Sequence, residues 1–244
     1  MKSAKISELT TNRLSIYLRC LNKLSSEGIK TISSQELAEQ FNLNSAQIRK
    51  DLGYFGEFGV RGVGYFVDDL SDHITRILGL DKPHRVAIVG AGRLGTALAN
   101  YKGFSKSNFT VTALFDNDRE KIGQLIGPDE LAVHDVRKFE KIVKDGDIDV
   151  GVIAVPARAA QRVLNQIMAA GVKAVLNFAP VPLTARLGVK VKTVDLTTSL
   201  ESLSYFLSRP QSGTVTTGMS IQLDDSAEST ERTQVHEPAP DRQR

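Results

Sequence analysis

The sequence predicts an α/β chain in which a small, mainly helical domain with a β-hairpin precedes a doubly wound parallel sheet. Three observations carry that prediction. Apolar residues recur at helical spacing from Leu14 to Leu52. A glycine-rich stretch flanked by aromatics follows, from Gly53 to Tyr65. From Arg85 to Arg209, short β-branched runs alternate with helical stretches, as parallel strands joined by crossover helices require. The expected division is 1–80, 81–210 and a polar tail at 211–244, with Asp81-Lys82-Pro83-His84 as the linker.

The first helix places Leu14, Tyr17, Leu18, Leu21 and Leu24 on one buried face. Ser33-Ser34-Gln35-Glu36 opens a second helix with a capping box from Ser33 to Glu36, and Leu37, Ala38 and Phe41 form its inner face. After the turn Phe41-Asn42-Leu43, Asn44 caps a third helix, with Gln47 three positions on as the second half of another box. Ile48 and Leu52 point inward, which leaves Ser45, Gln47, Arg49 and Lys50 on other faces.

Two short helices, a tight turn, and polar and basic side chains on the second make a helix-turn-helix. Ser45 and Gln47 are suited to base edges, Arg49 and Lys50 to phosphates. The glycine-rich stretch then reads as a wing with Gly59-Val60-Arg61-Gly62 at its tip. Arg61, with Gly62 beside it, suits the negative potential of a narrow A·T-rich minor groove. The front segment, Met1 to Phe66, holds nine Lys or Arg against six Asp or Glu, whereas the stretch from Gln211 holds three against six. Double-stranded DNA is therefore the expected partner of the front domain.

The second domain opens with the strand Arg85-Val86-Ala87-Ile88-Val89. Gly90-Ala91-Gly92-Arg93-Leu94-Gly95 follows, then a helical stretch through Tyr101. A G-x-G-x-x-G between a strand and a helix is the context of a dinucleotide fingerprint. Gly90 makes the tight turn, Gly92 lets the backbone approach a pyrophosphate, and Gly95 lets the helix pack on the strand. The helix N-terminus favours the anion. The next strand, Phe109 to Phe115, ends at Asp116, placed to bind the adenosine ribose 2′-hydroxyl and to favour NAD(H) over NADP(H), although Arg119 is close by. Strands are expected at Ala132 to His134, Asp149 to Pro156, Lys173 to Phe178 and Val189 to Leu196, with helices at Phe139 to Lys144, Ala157 to Ala170 and about Thr198 to Leu207. The strand end Val155-Pro156 is expected to line the cofactor crevice of this Rossmann-type sheet.

Composition narrows the function classes. One cysteine, Cys20, excludes an intrachain disulfide and a cysteine-built zinc site, and its place beside an apolar helix face reads as packing rather than thiol sensing. No stretch approaches the ~18 apolar residues that span a bilayer, and the polar start has no signal-peptide core. A cytoplasmic protein without membrane or metal partner is expected. Of the four histidines, His73, His84, His134 and His236, only His134 stands near the expected crevice, and it has no evident orienting partner. With no substrate domain after the sheet, the reading is a binding protein rather than an enzyme. The rival readings are a small NAD-dependent oxidoreductase with an N-terminal helical domain, and a module for CoA or another nucleotide.

Taken together, the motifs resemble the redox-sensing transcriptional repressor family Rex, over roughly Leu14 to Arg209. They are Tyr17-Leu18-Arg19, Gln47-Ile48-Arg49-Lys50-Asp51-Leu52, Tyr54-Phe55-Gly56, Arg61-Gly62-Val63-Gly64-Tyr65, the glycine fingerprint, Tyr101-Lys102-Gly103-Phe104, Asn177-Phe178-Ala179-Pro180 and Val194-Asp195-Leu196. The resemblance implies a homodimer of winged-helix and Rossmann domains whose last helix swaps onto the partner. It implies repression at palindromic operators, release by NADH and competition by NAD+. It implies that Arg49, Lys50 and Arg61 contact DNA, and that Arg19, Tyr101 and Asp195 couple cofactor state to domain orientation. The acidic tail lies outside the family pattern.

Overall fold

The computed structural model describes residues 6–208; the stretch 211–244, expected as a polar tail, lies outside the described residues. The chain divides into two compact units, one reaching Ile74 and one beginning at Thr75.

In the first unit, α1 (Glu8–Ser26) is capped by Ser7, whose hydroxyl accepts from the Thr10 N–H. Its apolar face buries Leu14, Tyr17, Leu18, Leu21 and Leu24 as the spacing predicts. The capping box of α2 (Ser34–Phe41) is complete: Ser33 Oγ accepts from the Glu36 N–H at 3.1 Å and the Glu36 carboxylate accepts from the Ser33 N–H at 2.8 Å. The box expected on α3 (Ser45–Gly53) forms only by half. Asn44 accepts from the Gln47 N–H, but the Gln47 side chain turns the other way and donates to Asp51 Oδ1 at 2.8 Å. The bond that the Gln47 amide donates to the carboxylate paired with Arg13 is stronger than the neutral bond its oxygen would accept from the Asn44 N–H, so the second half of the box does not form.

The hairpin pairs β2 (Gly59–Val60) with β3 (Gly64–Phe66), and β1 (Thr31–Ile32) adds to the other edge of β3 in the order β1-β3-β2. Strand β1 has two residues, too few to show a period-2 pattern, and it was not expected. Helix α4 (Val67–Ile77) follows, burying Val67, Leu70 and Ile74.

The second unit runs β4 (His84–Val89), α5 (Arg93–Ala99), β5 (Phe109–Asp116), β6 (Leu125–Ile126), β7 (Leu131–Asp135), α6 (Phe139–Asp145), β8 (Val150–Ile153), α7 (Ala157–Ala169), β9 (Ala174–Asn177), β10 (Lys190–Thr193) and α8 (Leu196–Ser208). The sheet order is β10-β9-β8-β4-β5-β7-β6. Every neighbouring pair is parallel except β6 with β7, which is antiparallel and blunts one edge. Alternate residues feed two cores. Ala87, Val89, Ala113 and Phe115 pack with Phe139, Leu164 and Ile167 on one face, and Val86, Ile88, Leu114 and Val152 form the core on the other. The chain winds from β4 outward in one direction and then crosses to β8 to wind in the other. The carboxyl ends of β4 and β8 therefore open a crevice at the switch point.

Candidate functional site

The crevice is shaped by glycines. Gly90 leaves β4 at φ +110°, and a Cβ there would come within 2.3 Å of the Ala154 carbonyl oxygen at the end of β8. Gly95 is buried, and a Cβ on it would sit 1.7 Å from the Gly90 carbonyl oxygen. These two positions set the turn and the seating of α5 on the strand. Gly92 is different, for a Cβ there meets nothing within 4 Å. Its lack of a side chain keeps main chain open to a ligand rather than satisfying a packing demand. Gly92 also caps α5 without a side-chain hydrogen bond.

Asp116 ends β5 on the other side of the turn. Its Oδ2 accepts from the Ala91 N–H at 2.8 Å and from Lys121 Nζ at 3.2 Å, and its Oδ1 accepts from the Asp118 N–H at 2.9 Å. Burial works to raise this carboxyl, but the Asp118 N–H, Lys121 and the Ala91 N–H outweigh it and hold it below the usual carboxylate range. The ionised side chain thus ties the glycine loop to the loop after β5.

Gly90, Gly92, Asp116, Val155 and Pro156 line one cleft of about 390 Å³. Ala91 takes part through its bond to Asp116, while Arg93 and Leu94 are exposed on the first turn of α5. Residues not foreseen line it too: Lys121, Val136, Arg158, Arg162, Val163 and Gln166. The helix after β8 carries four of these, and nothing short of the fold signals which of its faces turns to the cleft. Open main chain, an ionised carboxylate and a partly apolar lining fit the parts of NAD(H).

In the first unit, Ser45 and Gln47 stand on the first turn of α3 and Arg49 and Lys50 are exposed on it. Arg49 donates to Ser34 Oγ at 2.8 Å, a tie between α3 and the start of α2. Arg61 and Gly62 are exposed in the turn between β2 and β3. Beneath α3 lies a network the sequence reading missed. Asp51 is fully buried and accepts from Arg13 Nη2 at 2.7 Å, from Gln47 and from the Tyr17 hydroxyl at 2.9 Å. Burial, reinforced by the Asp51 charge, pushes the Tyr17 phenol well above its ordinary value, so it stays a donor. The available signal was Arg13 four residues before Tyr17 on one helix face.

Arg19 is exposed on α1 in the first unit. In the second, Tyr101 is exposed and packs edge-on to Phe104, and Asp195 Oδ1 accepts from the Thr197 N–H at 2.8 Å, where α8 begins. Cys20 is buried, and burial pushes its thiol up to about 11, which suppresses the reactive thiolate. His134 tilts against Phe115. Among the described residues, no group of three or more His, Cys, Asp or Glu could hold a metal ion, and no helix is long and apolar enough to cross a membrane.

Comparison with known proteins agrees with this division. Residues 5–53 match a family described as a putative DNA-binding protein N-terminus, and residues 81–181 match the CoA binding domain family. The chain is 47% identical over 209 residues to the redox-sensing transcriptional repressor Rex of Carboxydothermus hydrogenoformans, covering 86% of this chain and all of that one. It is 47% identical over 212 residues to the Rex of Pelotomaculum thermopropionicum, covering 87% and 99%. Among solved structures, RSP in complex with β-NAD+ and operator DNA superposes with a TM-score of 0.80 at 38% identity, over 84% of this chain and 94% of that one. RSP in complex with β-NADH gives 0.75 at 36% identity, over 84% and 95%.

Proposed function

The chain belongs to the redox-sensing transcriptional repressor Rex family, and on that premise we propose how its two units divide the work. It is a DNA-binding repressor that senses the NADH/NAD+ balance and leaves its operator when NADH binds. The observation that carries this reading is the pairing, on one chain, of a winged helix-turn-helix with a glycine-lined cleft closed by Asp116.

In this reading, Ser45 and Gln47 meet base edges, Arg49 and Lys50 hold phosphates, and Arg61, with Gly62 shaping the turn, enters the minor groove. Gln47 reaches the groove only by sharing or leaving its bond to Asp51. Gly90 to Gly95 cradle the pyrophosphate, Asp116 binds the adenosine ribose in exchange for part of its contact with Lys121, and Val155-Pro156 borders the crevice. Bound NAD(H) supplies a redox state to be read. The protein acts in the cytoplasm as a regulator, not as an enzyme.

The working form is a homodimer joined through α8, which brings two recognition helices about 34–36 Å apart, one turn of DNA. NADH favours a dimer whose spacing misses successive major grooves. Arg19, Tyr101 and Asp195, a cation, a phenol and a carboxylate, exchange hydrogen-bond partners between the two states.

Titration onto a labelled palindromic A·T-rich duplex at fixed salt tests this. We expect tight binding that NADH releases at lower concentration than NAD+. The Arg61→Ala variant should bind the duplex more weakly while its NADH affinity stays intact. Binding indifferent to both cofactors would remove the sensing half of the reading. Absence of binding to that duplex and to a genomic fragment library would remove the repressor half.

A further inference from the structure

Gly103 is a glycine that neither its own backbone nor the main chain around it requires. Its φ lies outside the left-handed region, so an alanine would meet no backbone strain there. At Gly90 and Gly95 the nearest atoms excluding a Cβ are main-chain carbonyl oxygens. At Gly103 they belong to one side chain. A Cβ would overlap Cε1 and Cζ of Tyr101 and stand 2.6 Å from its hydroxyl oxygen. The tip of the Tyr101 ring thus lies on the bare main chain of Gly103.

Little else holds the ring. The two residues share a turn in which the Phe104 N–H donates to the Tyr101 carbonyl at 3.2 Å, and the ring meets Phe104 edge-on with centroids 5.2 Å apart. Tyr101 is 59% exposed, and among the described residues its hydroxyl has no hydrogen-bond partner. Exposed side chains change rotamer within nanoseconds, so a Cβ at position 103 would displace the ring rather than the turn.

We propose that the main chain of Gly103 is the seat for one of two positions of the Tyr101 ring, and that Gly103 is a positioning residue that keeps this seat open. The inference rests on the reading of Tyr101 as a residue that couples cofactor state to operator affinity, and it names what admits the ring to one of its two states. An alanine would close the seat, raise the free energy of the state that uses it and shift the equilibrium toward the other.

Two measurements on the full chain test this. The first follows the Gly103 Hα resonances in glycine-labelled protein, with Tyr101→Leu giving their position when no ring lies on them. Saturating NADH or saturating operator duplex, but not both, should move the wild-type resonances to that position. The second is the ratio of operator dissociation constants with and without saturating NADH, at one salt concentration. Gly103→Ala should change the wild-type ratio about tenfold, the scale of overpacking at one contact. Gly103 resonances that keep one position with either ligand, or an unchanged ratio in Gly103→Ala, would overturn the seat and leave the role of Tyr101 standing. The resonance measurement needs no variant at position 103, so it decides even if Gly103→Ala fails to fold. Failure of NADH to alter operator affinity in the wild type would overturn the reading on which the inference rests.

Discussion

Asp51 sits where a helix core position should be apolar, next to Leu52 and three residues after Ile48, and is fully buried. It persists because Arg13, Tyr17 and Gln47 all donate to it. Arg13 is itself mostly buried, with 14% of its side chain exposed, so it depends on that anion. The pair joins α1 to α3 across 38 residues of sequence and sets the pitch of the helix proposed to read DNA. Asp51→Asn keeps the volume and removes the charge. We expect it to cost about 3 kcal/mol of stability in the N-terminal unit, as breaking a buried ion pair does. Tyr17→Phe, which removes one neutral donor to that charge, should cost about 2 kcal/mol. Urea unfolding of the two variants would show the ranking. Equal losses would mean that the hydroxyl, not the charge pair, anchors α3. The α1 partners of Asp51 stand 34 and 38 residues from it, which is why the sequence showed Tyr17 and Asp51 in motifs without their roles. The glycine fingerprint was legible for the opposite reason: its turn, its packing and its open main chain all fall within Gly90 to Gly95.

Among the elements, those with enough residues to show a period were legible and those without were not. Strands β1 and β6 have two residues each and arise from pairing with β3 and β7, partners chosen by the fold. Helix α8 shows a pattern that makes sense only beyond one chain. Leu196, Leu200, Leu203 and Leu207 recur at helical spacing and are 63%, 67%, 57% and 82% exposed. Such an exposed row fits the dimer contact through α8 proposed above. Leu200→Glu with Leu203→Glu should convert a dimer into a monomer by sedimentation, with loss of about a hundredfold or more in operator affinity as two half-sites cease to act together. A double variant that sediments as a dimer would place the interface elsewhere. Helix α8 begins at Leu196, earlier than the expected Thr198. Asp195 accepts from the Thr197 N–H at the helix start, a side-chain contact that periodicity does not report.

For the whole molecule, the two units are useful only if their equilibria are coupled. The units carry separate chemistries, basic groups and a wing in one, a cleft with an ionised carboxylate in the other. Neither ligand need touch the other's site. In the reading proposed above, coupling runs through the arrangement of the dimer, and thermodynamics constrains it strictly. If saturating NADH weakens operator affinity by some factor, saturating operator must weaken NADH affinity by the same factor. A factor of about 10 to 100 is ordinary for such linkage. The measurement is the NADH dissociation constant with and without a saturating operator duplex, set against the operator constant with and without saturating NADH. All four are taken at one salt concentration, because phosphate contacts make DNA affinity steeply salt-dependent. The shared factor gives the size of the coupling between the two ligands. Tyr101→Phe, which keeps the ring beside Phe104 and removes the hydroxyl, should then reduce both factors together and leave NADH affinity in the absence of DNA within a few-fold of wild type. If both factors are one, NADH and operator bind independently, and the sensing half of the proposed function falls.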